Sequence, residues 1–246
     1  MSGQTTQRPR LARLSGERTA PSPARTRFAL SWSGGKDSAL TLWTLRRQET
    51  EPEALITTVT DAYDRISMHG VRRELLARQA DALSIPLVEI LIPPGCSNAA
   101  YDARMAEAFA SAPLSGVGVV AFGDLFLEDV RAYREARLAA GGKRGLFPLW
   151  GRDTGELARE FIAAGFEAIL VCLDPRALDP SFAGRPYDDQ LLAKLPARVD
   201  PCGENGEFHT LAWAGPMFAS PLAVERGETV LRDGRFAYTD FTLASA

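Results

Sequence analysis

Short apolar runs alternate with helical periods from residue 28 to residue 122, and this alternation restricts the fold more than any other feature of the chain. Strands are predicted at 28–32, 54–60, 85–92 and 117–122. Because helix-length segments separate them, these strands must pair in parallel through right-handed crossovers. The sequence therefore predicts an α/β fold, with a doubly wound, parallel, Rossmann-like sheet over residues 26–125.

The remaining residues, 126–246, predict a second, smaller α+β domain. Its predicted helices cover 128–140 and 153–164, and its predicted strands cover 146–150 and 168–173. Beyond Asp174 the chain is rich in Pro, Gly and Asp, and then closes with three apolar segments around 211–214, 222–224 and 236–243. The turn signal Arg232-Asp233-Gly234 predicts a terminal antiparallel hairpin.

Composition narrows the class of protein. Among 246 residues, 46% are hydrophobic and 24% are charged, which is typical of a globular protein with a proper core. A net charge of -3 gives no broad positive field, so no stable nucleic-acid partner is expected, although a local basic patch stays open. No apolar run reaches the roughly 18 residues of a membrane span, and three scattered cysteines indicate a reducing cytoplasm.

The first 25 residues are rich in Arg, Ser, Thr and Pro and contain only one acidic residue, Glu17. This composition predicts a disordered, solvated tail. An organelle transit peptide, which is also Arg-rich and acid-poor, is the alternative, whereas a secretory signal would need an apolar stretch that is missing here.

The loop Ser33-Gly34-Gly35-Lys36-Asp37-Ser38 follows the first predicted strand and opens a helix. Its glycines let backbone N–H groups approach phosphate oxygens, and the helix directs its positive end toward them. Two hydroxyls and the Lys36 ammonium add donors, while Asp37 suits this place if it holds Mg²⁺ or the loop itself. The sequence predicts a triphosphate site. The alternative is an ordinary Gly-rich turn between a strand and a helix, with no ligand.

Other nucleotide motifs are absent from this loop. Asp37 follows Lys36 where a Walker A loop has Ser or Thr, and no G-x-G-x-x-G follows a strand. Kinase and dehydrogenase interpretations therefore lose support. Gly123-Asp124 comes directly after the fourth predicted strand, and because parallel strands end at one edge of the sheet, this pair is expected beside the loop.

A second polar cluster, from Cys202 to Thr210, precedes an apolar strand. Glu204 and Glu207 can bind an ammonium group, act as a general base for an attacking nitrogen, or hold a metal. Gly203 and Gly206 permit tight turns that crowd such polar groups together. The alternative is a polar turn before a strand.

The loop at Ser33–Ser38 resembles the PP-loop of the ATP pyrophosphatase superfamily, whose motif is Ser-Gly-Gly-x-Asp-Ser and whose fold is of the HUP, Rossmann-like type. The resemblance implies cleavage of ATP between the α and β phosphates, with AMP and pyrophosphate as products. It further implies adenylation of a carbonyl or carboxylate oxygen, followed by displacement of AMP by ammonia, an amine or sulfur.

The second cluster narrows the resemblance to the diphthine–ammonia ligase family. The match runs from about residue 27 to residue 220 and also includes Pro148-Leu149-Trp150, Gly165 to Ile169, and Gly184-Arg185 with Asp188. In that family a carboxylate on a modified histidine of elongation factor 2 is amidated with ammonium. Carried over, Ser33 to Ser38, Gly123 and Asp124 hold ATP, and Lys36, Asp37, Glu204 and Glu207 are catalytic. The implied substrate pocket comprises Gly203, Glu204, Asn205, Gly206, Glu207 and His209.

Three departures put the acceptor in doubt more than the ATP chemistry. Asn205 stands where Gly is common in such ligases, and His209 stands where an acidic residue is common. The segment Ser67-Met68-His69-Gly70 keeps the His of a family Met-Phe-His-Thr segment but loses its neighbours. For His209 a hydrogen-bonding structural role and a catalytic role both stay open, whereas the structural role is favoured for His69.

The residues alone leave two other functions open. Sulfur insertion into tRNA would need a persulfide-carrying cysteine, and a non-catalytic nucleotide-binding module would need only the loop. Burial as a small apolar residue is favoured for Cys202, and a solvated helix face is favoured for Arg131, Arg134 and Arg137. A homodimer is an open option.

Overall fold

The computed structural model describes residues 27–62, 65–66, 70–232 and 235–244. The predictions for the tail 1–25, for Ser67 to His69 and for the turn at 233–234 lie outside these residues. Within them, no helix is both long enough and apolar enough to cross a membrane.

The first sheet is doubly wound, as the sequence predicts. It contains β1 (Phe28–Ser31), β2 (Leu55–Thr60), β3 (Arg65–Ile66), β4 (Leu87–Ile92), β5 (Val119–Ala121) and β6 (Arg144–Leu146). β1 pairs in parallel with β2 on one side and with β5 on the other, β2 pairs with β4, and β5 with β6; only the short β3 runs antiparallel. The winding therefore reverses direction between β1 and β5, where such sheets bind ligands.

Four helices cover this sheet: α1 (Lys36–Arg46), α2 (Arg73–Leu83), α3 (Asn98–Ala110) and α4 (Glu128–Ala140). Alternate residues of β1 face opposite sides, since Leu30 packs with α1 and α2 whereas Ala29 belongs to the cluster that α3 covers. Ser97 caps α3 by accepting a hydrogen bond from the backbone N of Ala100 at 3.3 Å.

The elements that follow the first sheet along the chain are α5 (Thr154–Ala163), β7 (Glu167–Leu173), a short 3₁₀ helix (Pro180–Phe182), α6 (Asp189–Leu192), β8 (Phe208–Ala214), β9 (Val224–Arg232) and β10 (Phe236–Leu243). Their four strands form a second, antiparallel sheet with the order β8-β7-β10-β9. The predicted terminal hairpin is confirmed by the antiparallel β9–β10 pairing. One cluster of buried side chains contains both Leu30 of the first sheet and Leu211 of the second, and so joins the two sheets.

Two strand predictions need correction. The strand predicted at 146–150 in the second unit is instead β6, Arg144–Leu146, which pairs with β5 in the first sheet. The apolar segment at 222–224 only begins a strand, because β9 continues to Arg232. Its residues are exposed and charged along an edge, so no apolar alternation marks them in the sequence. The predicted domain division at 125 stays a prediction.

Candidate functional site

The loop Ser33–Ser38 lies at the carboxyl end of β1, beside the point where the winding reverses. Gly34 has a φ of +76°, and a Cβ there would lie 2.7 Å from Gln79 Oε1, so no side chain fits. Gly35 is the N-cap of α1 and has no side chain to cap it. The Ser33 and Ser38 hydroxyls lie 3.3 Å apart, and Ser38 donates to the carbonyl of Gly35 at 2.9 Å.

Lys36 is buried, and its ammonium is bonded within the protein. Nζ donates to both carboxylate oxygens of Asp37, at 2.8 and 2.9 Å, and to the carbonyl of Cys202. It also lies 5.7 Å from the centroids of the Tyr187 and Phe208 rings. Burial acts to lower the pKa of Lys36, but the charge and hydrogen bonds of Asp37, together with the charges of Cys202 and Glu204, hold that pKa above its ordinary value. Direct contact with phosphate, as the sequence predicts, stays a prediction and requires Nζ to give up one of these three hydrogen bonds.

Gly123 brings the segment after β5 against the first turn of α1. A Cβ on Gly123 would lie 3.0 Å from the backbone of Asp37 and 3.1 Å from Thr41 Oγ1. The close approach therefore requires glycine. The predicted neighbourhood of Gly123 and the loop is thus present, while nucleotide binding by Gly123-Asp124 stays a prediction.

Asp124 is paired with Arg134 of α4. Arg134 Nε lies 2.6 Å from Asp124 Oδ2, and the guanidinium lies 4.5 Å from the centroid of the Phe122 ring. Arg131, one turn earlier, lies 4.7 Å from the rings of both Phe147 and Trp150. These two arginine side chains are about a third exposed, so the helix face is partly solvated, and their guanidinium groups also lie against aromatic rings that follow β5 and β6.

Glu204 reaches across to the first sheet. Its Oε1 accepts a hydrogen bond from the backbone N of Leu125 at 2.8 Å, just beyond Gly123-Asp124. Burial raises the pKa of Glu204 to about 7, the negative charges of Asp37 and Asp124 add to this effect, and the Leu125 amide and Lys36 oppose it. A carboxyl group titrating near neutrality is suited to proton transfer.

Glu207 is held inside its own turn. It is 6% exposed, and its Oε1 accepts from the backbone N of Asp200 at 3.0 Å and from Asn205 Nδ2 at 3.1 Å. Its Oε2 has no hydrogen-bond partner among the residues that the structure describes. Gly203, with a φ of +71°, makes the turn, because a Cβ there would lie 2.7 Å from the Phe208 carbonyl.

Asp200 organises the same turn, and sequence reasoning missed it. Its Oδ1 accepts from the backbone N of Cys202 at 2.9 Å and of Glu204 at 3.2 Å, while Oδ2 accepts from Thr154 Oγ1 at 2.6 Å. The signal was the Asp-Pro-Cys sequence, since Asp accepts bonds from backbone N–H groups two and more residues ahead. Asp200 therefore fixes the start of the segment that carries Glu204.

Cys202 is buried, as predicted. Its Sγ donates to the Thr154 carbonyl at 3.3 Å, and burial raises the pKa of the thiol to about 12. Cys172 is also buried and has its pKa raised to about 12 by the same cause. Thiols with such pKa values carry almost no thiolate at neutral pH and are poor nucleophiles.

His209 and Thr210 end the cluster at the start of β8. Burial, with a smaller contribution from the Lys36 charge, lowers the pKa of His209 to about 4, so the imidazole is neutral at pH 7. Thr210 Oγ1 accepts a hydrogen bond from the backbone N of Lys36 at 3.0 Å. Since Gly35 has no side chain, a residue of the second sheet thus caps α1.

A buried amide completes the connection between the sheets. Gln79 of α2 bonds to Trp32, Gly34 and Ala212 at distances of 2.6 to 2.9 Å. No role was assigned to Gln79 from the sequence. A lone polar residue on the apolar face of α2 was the available signal, because a buried amide needs partners.

The predicted site residues thus fall into two groups. Lys36, Asp37 and Glu204 lie close enough for their charges to affect one another, whereas the side-chain hydrogen bonds of Glu207 stay within its turn. In the described ranges, no cluster of three or more His, Cys, Asp or Glu side chains is placed to hold a metal ion. A metal role for Asp37 therefore stays a prediction.

The fold and this loop define an α/β protein of the PP-loop class, in which a strand of the second sheet contacts the loop Ser33–Ser38. The model of the diphthamide synthase N-terminal domain matches residues 26–137, and that of the diphthamide synthase C-terminal domain matches residues 153–239. The chain belongs to the diphthamide synthase family.

Curated relatives agree with this assignment. Diphthine–ammonia ligase of Rattus norvegicus is 34% identical over 90 residues, covering 34% of this chain and 33% of the relative. The enzyme of the same name from Schizosaccharomyces pombe is 24% identical over 217 residues, covering 80% of this chain and 36% of the relative. The matches span about a third of the length of these relatives.

Among solved structures, a predicted subunit of tRNA methyltransferase from Methanocaldococcus jannaschii matches with a TM-score of 0.39 and 15% identity. The match covers 77% of this chain and 97% of the other.

Proposed function

We propose that this protein is an ATP-dependent ligase that adenylates a carboxylate and amidates it with ammonia, releasing AMP and pyrophosphate. One observation carries the proposal: Glu204 of the second unit bonds to the Leu125 amide beside the predicted nucleotide segment, within range of the Lys36 and Asp37 charges of the phosphate loop. A phosphate loop and a carboxyl group that titrates near neutrality then face one site, as activation followed by amidation requires.

The loop Ser33–Ser38 supplies the nucleotide half. Backbone N–H groups at the start of α1, together with the hydroxyls of Ser33 and Ser38, would bind the β and γ phosphates. Lys36 would offset charge on the departing pyrophosphate, from its place beside Asp37. Gly123 allows the segment with Asp124 to approach the loop, so this segment would border the nucleotide.

Mg²⁺ fits the residues at this site. The two Asp37 oxygens have about four lone-pair positions, of which Lys36 takes two, and about a third of the side chain is exposed. Mg²⁺ typically takes one or two carboxylates and completes its shell with phosphate oxygens and water. Asp37 would hold the ion, which would neutralise phosphate charge when bound.

Glu204 and the turn around it supply the acceptor half. An oxygen of the acceptor carboxylate attacks the α phosphorus, the bond from that phosphorus to the bridging oxygen breaks, and pyrophosphate leaves. Ammonia then attacks the acyl carbon, the carbon–oxygen bond breaks, and AMP leaves. Glu204, deprotonated, would take the proton that the nitrogen gives up. Glu207, Asn205 and His209, with Gly203 and Gly206, would border the acceptor.

The names of the relatives indicate the acceptor class. We propose the carboxylate of a modified histidine on elongation factor 2, diphthine, with ammonium as the nitrogen source and the cytoplasm as the place of action. Sulfur transfer to tRNA gains no support from Cys172 or Cys202, because both thiols are buried with pKa values of about 12.

The test is incubation of the full chain with labelled ATP, ammonium and elongation factor 2 carrying diphthine. AMP, pyrophosphate and an amidated acceptor are expected in equal amounts, and omission of the acceptor should abolish sustained AMP release. ADP and phosphate as products would overturn the proposal. Asp37→Asn should lose most of the activity, whereas Asp61→Asn, at an exposed position after β2, should retain it.

A further inference from the structure

The side chain of Gln79 joins the phosphate loop to the second sheet. Gln79 lies in α2 and is fully buried, at 0% exposure. Its Oε1 accepts a hydrogen bond from Trp32 Nε1 at 2.9 Å, and its Nε2 donates to the Gly34 carbonyl at 2.9 Å and to the Ala212 carbonyl at 2.6 Å. One amide therefore connects the end of β1, the loop and β8.

The three partners require glutamine at this position. The Trp32 indole N–H only donates and the two carbonyls only accept, so the amide has a single orientation that satisfies all of them. Glutamate has no donor for the carbonyls, lysine has no acceptor for the indole, and asparagine is shorter by one methylene group. Since all these groups are buried, an unmatched partner would remain without a hydrogen bond.

The bond to Gly34 also fixes the direction of the next backbone amide. The Gly34 carbonyl accepts from Gln79 Nε2 and from the backbone N of Ala212 at 2.8 Å, so both of its lone pairs are used. In a planar trans peptide, the N–H points opposite to the carbonyl. The N–H of Gly35 therefore points away from Gln79 and β8, at the start of α1, where an anion is bound most readily. On that side it donates a long hydrogen bond, of 3.4 Å, to the Ser33 hydroxyl, so a phosphate bound there would meet both groups.

We propose that Gln79 is a positioning residue for the triphosphate of ATP: it holds the Gly34 peptide so that the Gly35 amide is directed at phosphate, and it does so without touching the ligand. This inference rests on the proposed use of ATP. It also makes the phosphate site dependent on the second sheet, because Ala212 supplies a hydrogen-bond donor to Gly34 and an acceptor to Gln79.

The test compares ligand binding by the full-length wild type and Gln79→Met, which keeps a similar volume and removes the hydrogen bonds. Titration calorimetry would use ATP, inorganic pyrophosphate and adenosine. We expect the dissociation constants of ATP and pyrophosphate to rise about tenfold, with that of adenosine unchanged. The matched control is Leu83→Ala, at the C-terminal end of α2. This change should lower the melting temperature without changing the three dissociation constants.

Two results would overturn the inference: unchanged ATP and pyrophosphate binding by Gln79→Met, or an equal loss of adenosine binding. If Gln79→Met does not fold, Trp32→Phe removes only the indole donor and should give a smaller rise for the same two ligands; unchanged constants would again contradict the inference. A wild type that binds no ATP would instead refute the proposed function itself, so the two failures are distinct.

Discussion

Thr210 caps helix α1 from a different sheet, since its hydroxyl accepts the hydrogen bond of the Lys36 backbone amide at 3.0 Å across 174 positions of sequence. The helix that carries the phosphate loop thus depends on a strand of the second unit. Together with the Gln79 bonds, this contact means that neither sheet forms the site alone.

Replacement of Thr210 tests this cap. Thr210→Val keeps the shape of the side chain but leaves the Lys36 amide without its acceptor, so the free energy of unfolding should fall by about 1–2 kcal/mol. Urea denaturation measures the change. Thr210→Ser, which keeps the hydroxyl, is the matched control and should lose clearly less; an equal loss in both variants would show that the hydroxyl does not matter.

The raised pKa of Glu204 predicts a pH dependence of stability. Because the folded-state pKa is about 7 and the ordinary value is 4.5, folding favours the protonated form. This contribution to stability is present below pH 4.5 and is lost as the pH rises through about 7. Free energies of unfolding measured across this range should fall more steeply for the wild type than for Glu204→Gln, which keeps an acceptor for the Leu125 amide. Parallel curves would contradict the assigned pKa.

The same group predicts the pH profile of the amidation step. With ATP and free ammonia both saturating, the rate should rise with pH and level off above about 7, and Glu204→Gln should be slower by about 10²–10⁴-fold, the usual contribution of a general base. Hydroxylamine in place of ammonium is the control, because it is already largely uncharged at neutral pH. An inflection that persists in Glu204→Gln with hydroxylamine would assign the titration to another group.

His209 is expected to stay neutral at physiological pH. Burial, with the Lys36 charge, lowers its pKa to about 4, so its imidazole resonances should not shift between pH 8 and pH 5 in NMR spectra. His69 is the only other histidine, and the spectrum of His69→Gln assigns the two signals. A His209 titration near the ordinary value of 6.5 would show that the site is open to water.

Local sequence patterns predicted the elements better than their partners. Strands β1, β2, β4 and β5, helices α1 to α5 and the terminal hairpin follow from apolar periodicity and turn residues, since these signals lie within single segments. β6 was assigned to the wrong unit, because a three-residue strand that ends in an exposed leucine carries no signal of the sheet it joins. β9 was missed beyond Val224 because its exposed, charged residues lack an apolar pattern.

The site shows the same limit. The two motifs place Lys36, Asp37 and Glu204 in one neighbourhood, but the burial of Lys36 against the Cys202 carbonyl comes from the meeting of distant segments. The partners of Gln79 and Arg134 were not predicted. Gln79 bonds to Gly34, 45 positions away, and Arg134 bonds to Asp124, 10 positions away, and both contacts are set by tertiary packing. Cys202 was correctly predicted to be buried, because an isolated cysteine with no neighbouring base is most often a small core residue.

In the proposed reaction, an oxygen of the acceptor is transferred to the α phosphorus of ATP at the site that the loop and the second sheet form together. The most direct measurement is mass spectrometry of AMP formed from an acceptor in which both carboxylate oxygens are ¹⁸O, with ammonium and the full chain. The account predicts AMP that contains one ¹⁸O atom for each amide formed. AMP without the label, or labelled inorganic phosphate instead, would contradict it.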